Sequence, residues 1–198
     1  MKDFPRLEKK IGLKFKNKNL IRQAFVHRSY LNEYPNFPLD HNERLEFLGD
    51  AVLELVVTEH LYKNYSSPEG EMTNWRAALV KGEMISQVAK SLGFDDYLYL
   101  SKGERESLGK SRQLILANTF EALIGAIYLD SGFKKAQKFV EKFLLPSLPE
   151  ILEKELYLDP KTQLQELSQE KVKLTPRYQV LKEWGPDHAK EFRVGVYL

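Results

Sequence analysis

Residues 114–132, LILANTFEALIGAIYLDSG, are so uniformly apolar that a helix built from them has almost no polar side to present to water. Such a helix is stable only where other elements wrap it on most sides. It is therefore expected to be the central core helix of a mainly α fold, closed by Gly132. Two residues break the pattern: Asn118 and Glu121 fall one turn apart, and Gly125 continues their face without a side chain. An unpaired buried glutamate is costly, so Glu121 must meet a cation, a hydrogen-bonding partner or solvent. An ion pair with an arginine such as Arg44 or Arg76 would satisfy it, and so would a bound cation.

A matching feature lies upstream. HNERLEFLGD, His41 to Asp50, sets Glu43, Glu46 and Asp50 along one stripe of a predicted helix, because positions three and four apart share a face. Leu45, Leu48, Val52 and Leu55 are assigned to the core side. A plain solvated face explains such acids in most amphipathic helices. Gly49, however, lies mid-helix at a cost of about 1 kcal/mol relative to alanine, which suggests close approach by another element or a ligand. The functional alternative is that Glu46, Asp50, Asn118 and Glu121 converge from two packed helices on a divalent metal, with Gly49 and Gly125 permitting the approach. The chain has no cysteine and its four scattered histidines lack zinc spacing, so the metal would be a hard cation held by oxygen: Mg²⁺, Mn²⁺ or Ca²⁺.

Of the 198 residues 42% are hydrophobic, enough to bury a substantial core, and the net charge of +2 neither requires nor excludes a polyanionic partner. Two short helices are expected within 7–25, broken around Asn17 to Asn19, then a long helix over 42–64. SSPEGEMT reads as a loop, 72–92 as one helix with Thr73 as its cap, SKGERESLGKSR as a polar loop, and 133–145 as a further helix. Pro146 and Pro149 then break the chain, which places a first domain at 1–150, a linker at 151–158 and a second domain at 159–198. The second reads as a helix, KTQLQELSQEK, and two strands, RYQVLKEWG and KEFRVGVYL, with GPDHA as their turn. So small an α-β-β unit can hardly bury a stable core unaided. No unbroken apolar run approaches membrane-spanning length and the start lacks a secretory signal's apolar core, so a cytoplasmic location without a membrane partner is expected. His27 and Ser29 are assigned to core support, since no other histidine stands beside a suitable serine.

HNERLEFLGDAVLEL closely resembles the signature of the bacterial ribonuclease III family. AFVHRSYLNE at 24–33, PEGEMTNWRAALV at 68–80 and ILANTFEALIGAIYLDSG at 115–132 resemble further blocks of that family in the same order. Residues 159–198 resemble the first helix and two strands of a double-stranded RNA-binding domain without its third strand and basic final helix, as expected of a shortened chain. The resemblance implies an all-helical endonuclease domain followed by a partial RNA-binding domain. It implies metal ligands at Glu46, Asp50 and Glu121, neighbouring acids at Glu43 and Glu69 that position substrate or metal, and RNA contacts at Gln165, Glu166 and His188. Asn118 stands where the family usually carries aspartate. It keeps one carbonyl oxygen but loses the charge, which fits a tolerated natural variant, an engineered inactivation or an impaired enzyme, the first being favoured. Phe47 neighbours the acids on the helix and not the main apolar stripe; a core or satellite-core aromatic is one reading of it, and the resemblance implies that it inserts into the partner subunit of a symmetric homodimer.

The implied activity is Mg²⁺-dependent hydrolysis of double-stranded RNA, with Mn²⁺ able to substitute, giving 5′-phosphate and 3′-hydroxyl ends during rRNA, mRNA and small-RNA processing. One rival is a catalytically impaired RNA-binding dimer, with Asn118 as the sign of lost chemistry. Retention of Glu46, Asp50 and Glu121 argues against it. The other is a helical scaffold whose acids are merely surface.

Overall fold

Asp3 accepts a hydrogen bond from the Arg6 backbone N–H and starts α1 (Phe4–Ile11), which ends at Gly12 in the left-handed conformation. The computed structural model of the chain describes residues 2–106, 108–158, 160–186 and 190–198, with all their side chains except that of Thr162. They fall into two units, Met1–Lys154 and Glu155–Leu198.

In the first unit α1 is followed by α2 (Lys18–Ala24) and α3 (Arg28–Glu33), then α4 (Glu43–Asn64), α5 (Glu69–Leu79) and α6 (Gly82–Ser91). The short α7 (Lys102–Glu106) precedes α8 (Lys110–Ser131), and α9 (Phe133–Phe143) and α10 (Leu148–Glu153) complete it. As the sequence requires, α8 is the core: Ile115, Leu116, Phe120, Leu123, Ile124 and Ile127 are buried, against α2, α4, α6 and α9. By length and composition α8 could cross a membrane, but most of that apolar surface is buried inside the unit. Its buried Thr119 donates to the Ile115 carbonyl at 2.7 Å, so no polar group is stranded there. A file of rings, Phe25, Phe94, Phe120, Phe139 and Phe143, runs across this core with centroids 5.1–6.2 Å apart.

Several local expectations need correction. Residues 72–92 form two helices, because Val80 and Lys81 leave helical geometry and Gly82 opens α6, which packs on α8. The first of them begins inside the presumed loop: Pro68 precedes α5, Glu69 and Glu71 fill its first turn, and Thr73 is not a cap but an exposed helical residue. The polar segment contributes α7 and the first turn of α8, and an unanticipated α3 follows His27. Leu48 is only half-buried and Leu55 is 56% exposed, so the core side of α4 is Leu45, Val52, Leu53, Val56 and Val57 instead. Residues 151–153, read as linker, belong to α10, whose Ile151 is fully buried against the first unit.

In the second unit α11 (Pro160–Val172) precedes β1 (Arg177–Trp184) and β2 (Glu191–Tyr197), which pair antiparallel from Arg177↔Tyr197 to Trp184↔Glu191 with an irregularity between Val180 and Lys182. The order helix, strand, strand is the one read from the sequence. The residues Asp187, His188 and Ala189 of the expected turn lie outside the described residues.

Candidate active site

The acid-bearing helix is fixed at its start by a residue whose role the sequence did not disclose. Asn42 is buried, donates its side-chain amide to the Ala24 carbonyl at 3.1 Å and its backbone N–H to the Val26 carbonyl at 2.9 Å, and accepts from Glu46 N–H. These bonds tie the first turn of α4 to the end of α2. His27 and Ser29 do a similar task nearby: His27 Nδ1 lies 2.8 Å from Ser29 Oγ, which accepts from the Ser101 N–H at 3.2 Å. They therefore hold backbone together, in keeping with the supporting role expected of them.

The crossing of α4 and α8 sets the site. A Cβ added at Gly49 would lie 1.8 Å from the Glu121 carbonyl oxygen, and one at Gly125 would lie 2.2 Å from that of Leu45. Both obstacles are backbone, which a rotamer change cannot relieve, so both glycines are required for this approach. The contact places Glu46 and Asp50, on either side of Gly49, against Asn118 and Glu121, two turns and one turn before Gly125.

Electrostatics confirm that these groups sense one another. Glu121 is pushed up to about 7 by burial first and then by Asp50, Glu46 and Glu54. Glu46 is also raised, by burial and then by Glu43 and Asp50, while hydrogen bonding from the Asn118 side chain opposes the shift. The Oε2 atom of Glu46 is buried without a hydrogen-bond partner among the described residues. No cation acts on Glu121 among the described residues either: Arg76 is paired with Glu54 at 3.0 Å, and Arg44 lines the recess beside Phe47. The ion-pair explanation of Glu121 therefore fails.

What remains is an all-oxygen, net-negative donor set with one orphaned buried oxygen, which fits a hard divalent cation. Among the described residues no three acid or histidine side chains stand close enough to hold an ion between them. Uncompensated carboxylates repel one another, so binding would require them to draw together.

The other candidate residues are more dispersed. Glu43 is exposed and lies 3.5 Å from Arg28 and 3.8 Å from His41 Nδ1. Glu69, exposed in the first turn of α5, lines a groove of about 290 Å³ with Thr58, Tyr62, Met72, Thr73 and Arg76. Phe47 is not a core aromatic: it is 82% exposed, beside a cavity of about 670 Å³ that it lines with Leu20, His41, Arg44, Leu48 and Leu129. Gln165 and Glu166 are exposed on α11, and His188 is outside the described residues. Glu54 was overlooked, although its place four residues after Asp50 continues the acid stripe.

Comparison with known proteins adds independent findings. Residues 17–148 match the ribonuclease-III-like family and residues 160–198 the double-stranded RNA binding motif. The chain is 47% identical to Ribonuclease 3 of Treponema denticola over 192 residues, covering 96% of this chain and 78% of that protein. It is 43% identical to Ribonuclease 3 of Enterococcus faecalis, covering 97% and 84% respectively. A solved nuclease domain of ribonuclease III from Campylobacter jejuni, described for flexibility in a region involved in dimer formation, superposes with a TM-score of 0.66 at 38% identity, covering 74% of this chain and 99% of that one. Dicer from Pichia stipitis gives a TM-score of 0.53 at 29% identity, covering 92% and 83%.

Proposed function

Because the chain belongs to the ribonuclease III family and carries a double-stranded RNA binding motif after its nuclease unit, we propose that it is a divalent-metal-dependent endoribonuclease that hydrolyses phosphodiester bonds of double-stranded RNA. The observation that carries the reading is the glycine-enabled crossing that sets Glu46, Asp50, Asn118 and Glu121 together, with Glu46 Oε2 buried and unpartnered.

Glu46, Asp50 and Glu121, with the Asn118 carbonyl oxygen, would hold Mg²⁺, or Mn²⁺ in its place. When bound, the cation supplies positive charge to the scissile phosphate and a source of hydroxide near neutral pH. The chain's own groups prepare that chemistry. Burial makes Glu46 and Glu121 unfavourable as free anions, so their charge is kept for a cationic partner. Asn118 takes part without charge: its side chain hydrogen-bonds to Glu46 where an aspartate would repel it, which lowers the affinity for a cation but keeps an oxygen donor. Glu43 and Glu69 stand at the periphery as acids that position substrate, and Gln165, Glu166 and His188 would touch the RNA minor groove.

A homodimer goes with this reading. An exposed phenylalanine beside a cavity of about 670 Å³ is self-complementary about a twofold axis, since each copy offers both the ring and the recess. Two sites in one dimer would cut both strands of a duplex in one encounter, leaving 5′-phosphate and 3′-hydroxyl ends.

The test is to incubate duplex RNA with the protein and with its Glu121→Gln and Asn118→Asp forms, with and without Mg²⁺. Cleavage should require Mg²⁺ and fall by about a hundredfold or more in Glu121→Gln. Cleavage untouched by that substitution would refute the site. Duplex binding without cleavage, restored by Asn118→Asp, would replace this reading with that of an impaired RNA-binding dimer.

A further inference from the structure

The acid stripe of α4 does not end at Asp50. Glu54 lies one turn further along, and its charge reaches Glu121, where it adds to those of Asp50 and Glu46. Its counter-ion sets it apart. Arg76, on α5, places Nε 3.0 Å from Glu54 Oε2 and donates from Nη1 to Thr58 Oγ1 at 3.0 Å, so one guanidinium grips two successive turns of α4. The planar fork suits such a double grip, which a lysine could not reproduce. Arg76 also shares its helix and its groove with Glu69.

We propose that Arg76 is a positioning residue that sequesters Glu54, so that the cation proposed above is drawn to Glu46, Asp50 and Glu121 instead of being shared with a fourth carboxylate. The inference rests on that metal reading. Its logic is one of charge: the Arg76 guanidinium offsets the Glu54 carboxylate, whose field still reaches Glu121, whereas without it an unopposed carboxylate stands within one turn of Asp50. The added negative charge tightens binding of a divalent cation and at the same time offers it a wrong position. The pair is itself about one-third exposed on each side, at 35% and 39%, so as an ion pair it adds little to folding.

The experiment titrates the full chain, without RNA, with Mn²⁺ and reads free Mn²⁺ by its paramagnetic resonance signal, in parallel with duplex cleavage at saturating Mn²⁺. Arg76→Gln should bind Mn²⁺ about fivefold more tightly and Glu54→Gln about fivefold more weakly, the effect of one charge acting on a divalent ion through solvent-screened distance. The double variant should return to within about twofold of the unaltered chain. Cleavage should fall about tenfold in Arg76→Gln and recover in the double variant. Unchanged Mn²⁺ binding in Arg76→Gln, shifts of the same sign in the two single variants, or a double variant as impaired as Arg76→Gln would overturn the proposal. Should Arg76→Gln fail to fold, Glu54→Gln and the double variant decide it. An unaltered chain that shows no Glu121-dependent Mn²⁺ binding would overturn the metal reading, and this inference with it.

Discussion

Replacing Glu121 with glutamine should stabilise the metal-free protein at the same time as it abolishes cleavage. In the folded chain the Glu121 carboxyl is pushed up to about 7, against an ordinary 4.5. The folded state therefore holds this proton more tightly than the unfolded state does. The stabilisation that goes with it is fully present below about 4.5 and is lost as the pH rises through about 7, where ionised Glu121 faces Asp50, Glu46 and Glu54. Fully transmitted, the gap is worth about 3 kcal/mol, and solvent screening of a half-buried side chain reduces it to about 2 kcal/mol. For a chain of this size that is roughly 4–8 °C in Tm. The assay is thermal unfolding followed by circular dichroism with a chelator present, at pH 8 and pH 5. Glu121→Gln should melt higher at pH 8, and the difference should shrink toward zero at pH 5. A variant that melts at or below the unaltered chain at pH 8, or a gap indifferent to pH, would refute the electrostatic reasoning.

Three further outcomes follow from the same geometry. A proton on Glu121 competes with the cation, so the Mg²⁺ concentration giving half-maximal cleavage should be about tenfold higher at pH 6 than at pH 8; a flat dependence would contradict it. Gly49→Ala, which drives a Cβ to 1.8 Å from the Glu121 carbonyl oxygen, should cost about 3 kcal/mol or more in urea unfolding, and a loss below about 1 kcal/mol would show that the crossing can relax. Phe47→Ala should leave the helical content unchanged but weaken self-association by about tenfold or more in sedimentation velocity, whereas unaltered sedimentation would remove Phe47 from the interface.

Much of the site was legible because it rests on covalent spacing. The acids of α4 and the Asn118–Glu121–Gly125 face of α8 follow helical periodicity, and the glycines announce a backbone approach that no other residue permits. What spacing could not show was set by tertiary contacts. Helical period runs unbroken from Leu79 to Ile85, yet the chain bends at Val80 and Lys81 because α6 must lie on α8. Leu55 carries the same apolar signal as buried neighbours, so its exposure was invisible until the faces of α4 were assigned, whereas Phe47 already stood off that stripe beside the acids. Nothing in the helical spacing singles out Asn42, and only the fold reveals that its side chain binds the Ala24 carbonyl. The link between Glu54 and Arg76 likewise depends on how α5 packs, although Glu54 itself was readable as the next acid in the stripe.

On the proposed reading Glu46, Asp50, Asn118 and Glu121 together bind one divalent cation or a close pair of them. Crystals of the protein soaked in Mn²⁺ and measured at the manganese absorption edge would test it most directly. An anomalous peak is expected at the α4–α8 crossing, within about 2.0–2.6 Å of carboxylate oxygens, and it should disappear in Glu121→Gln. No peak there at saturating Mn²⁺, or one that persists in Glu121→Gln, would contradict it.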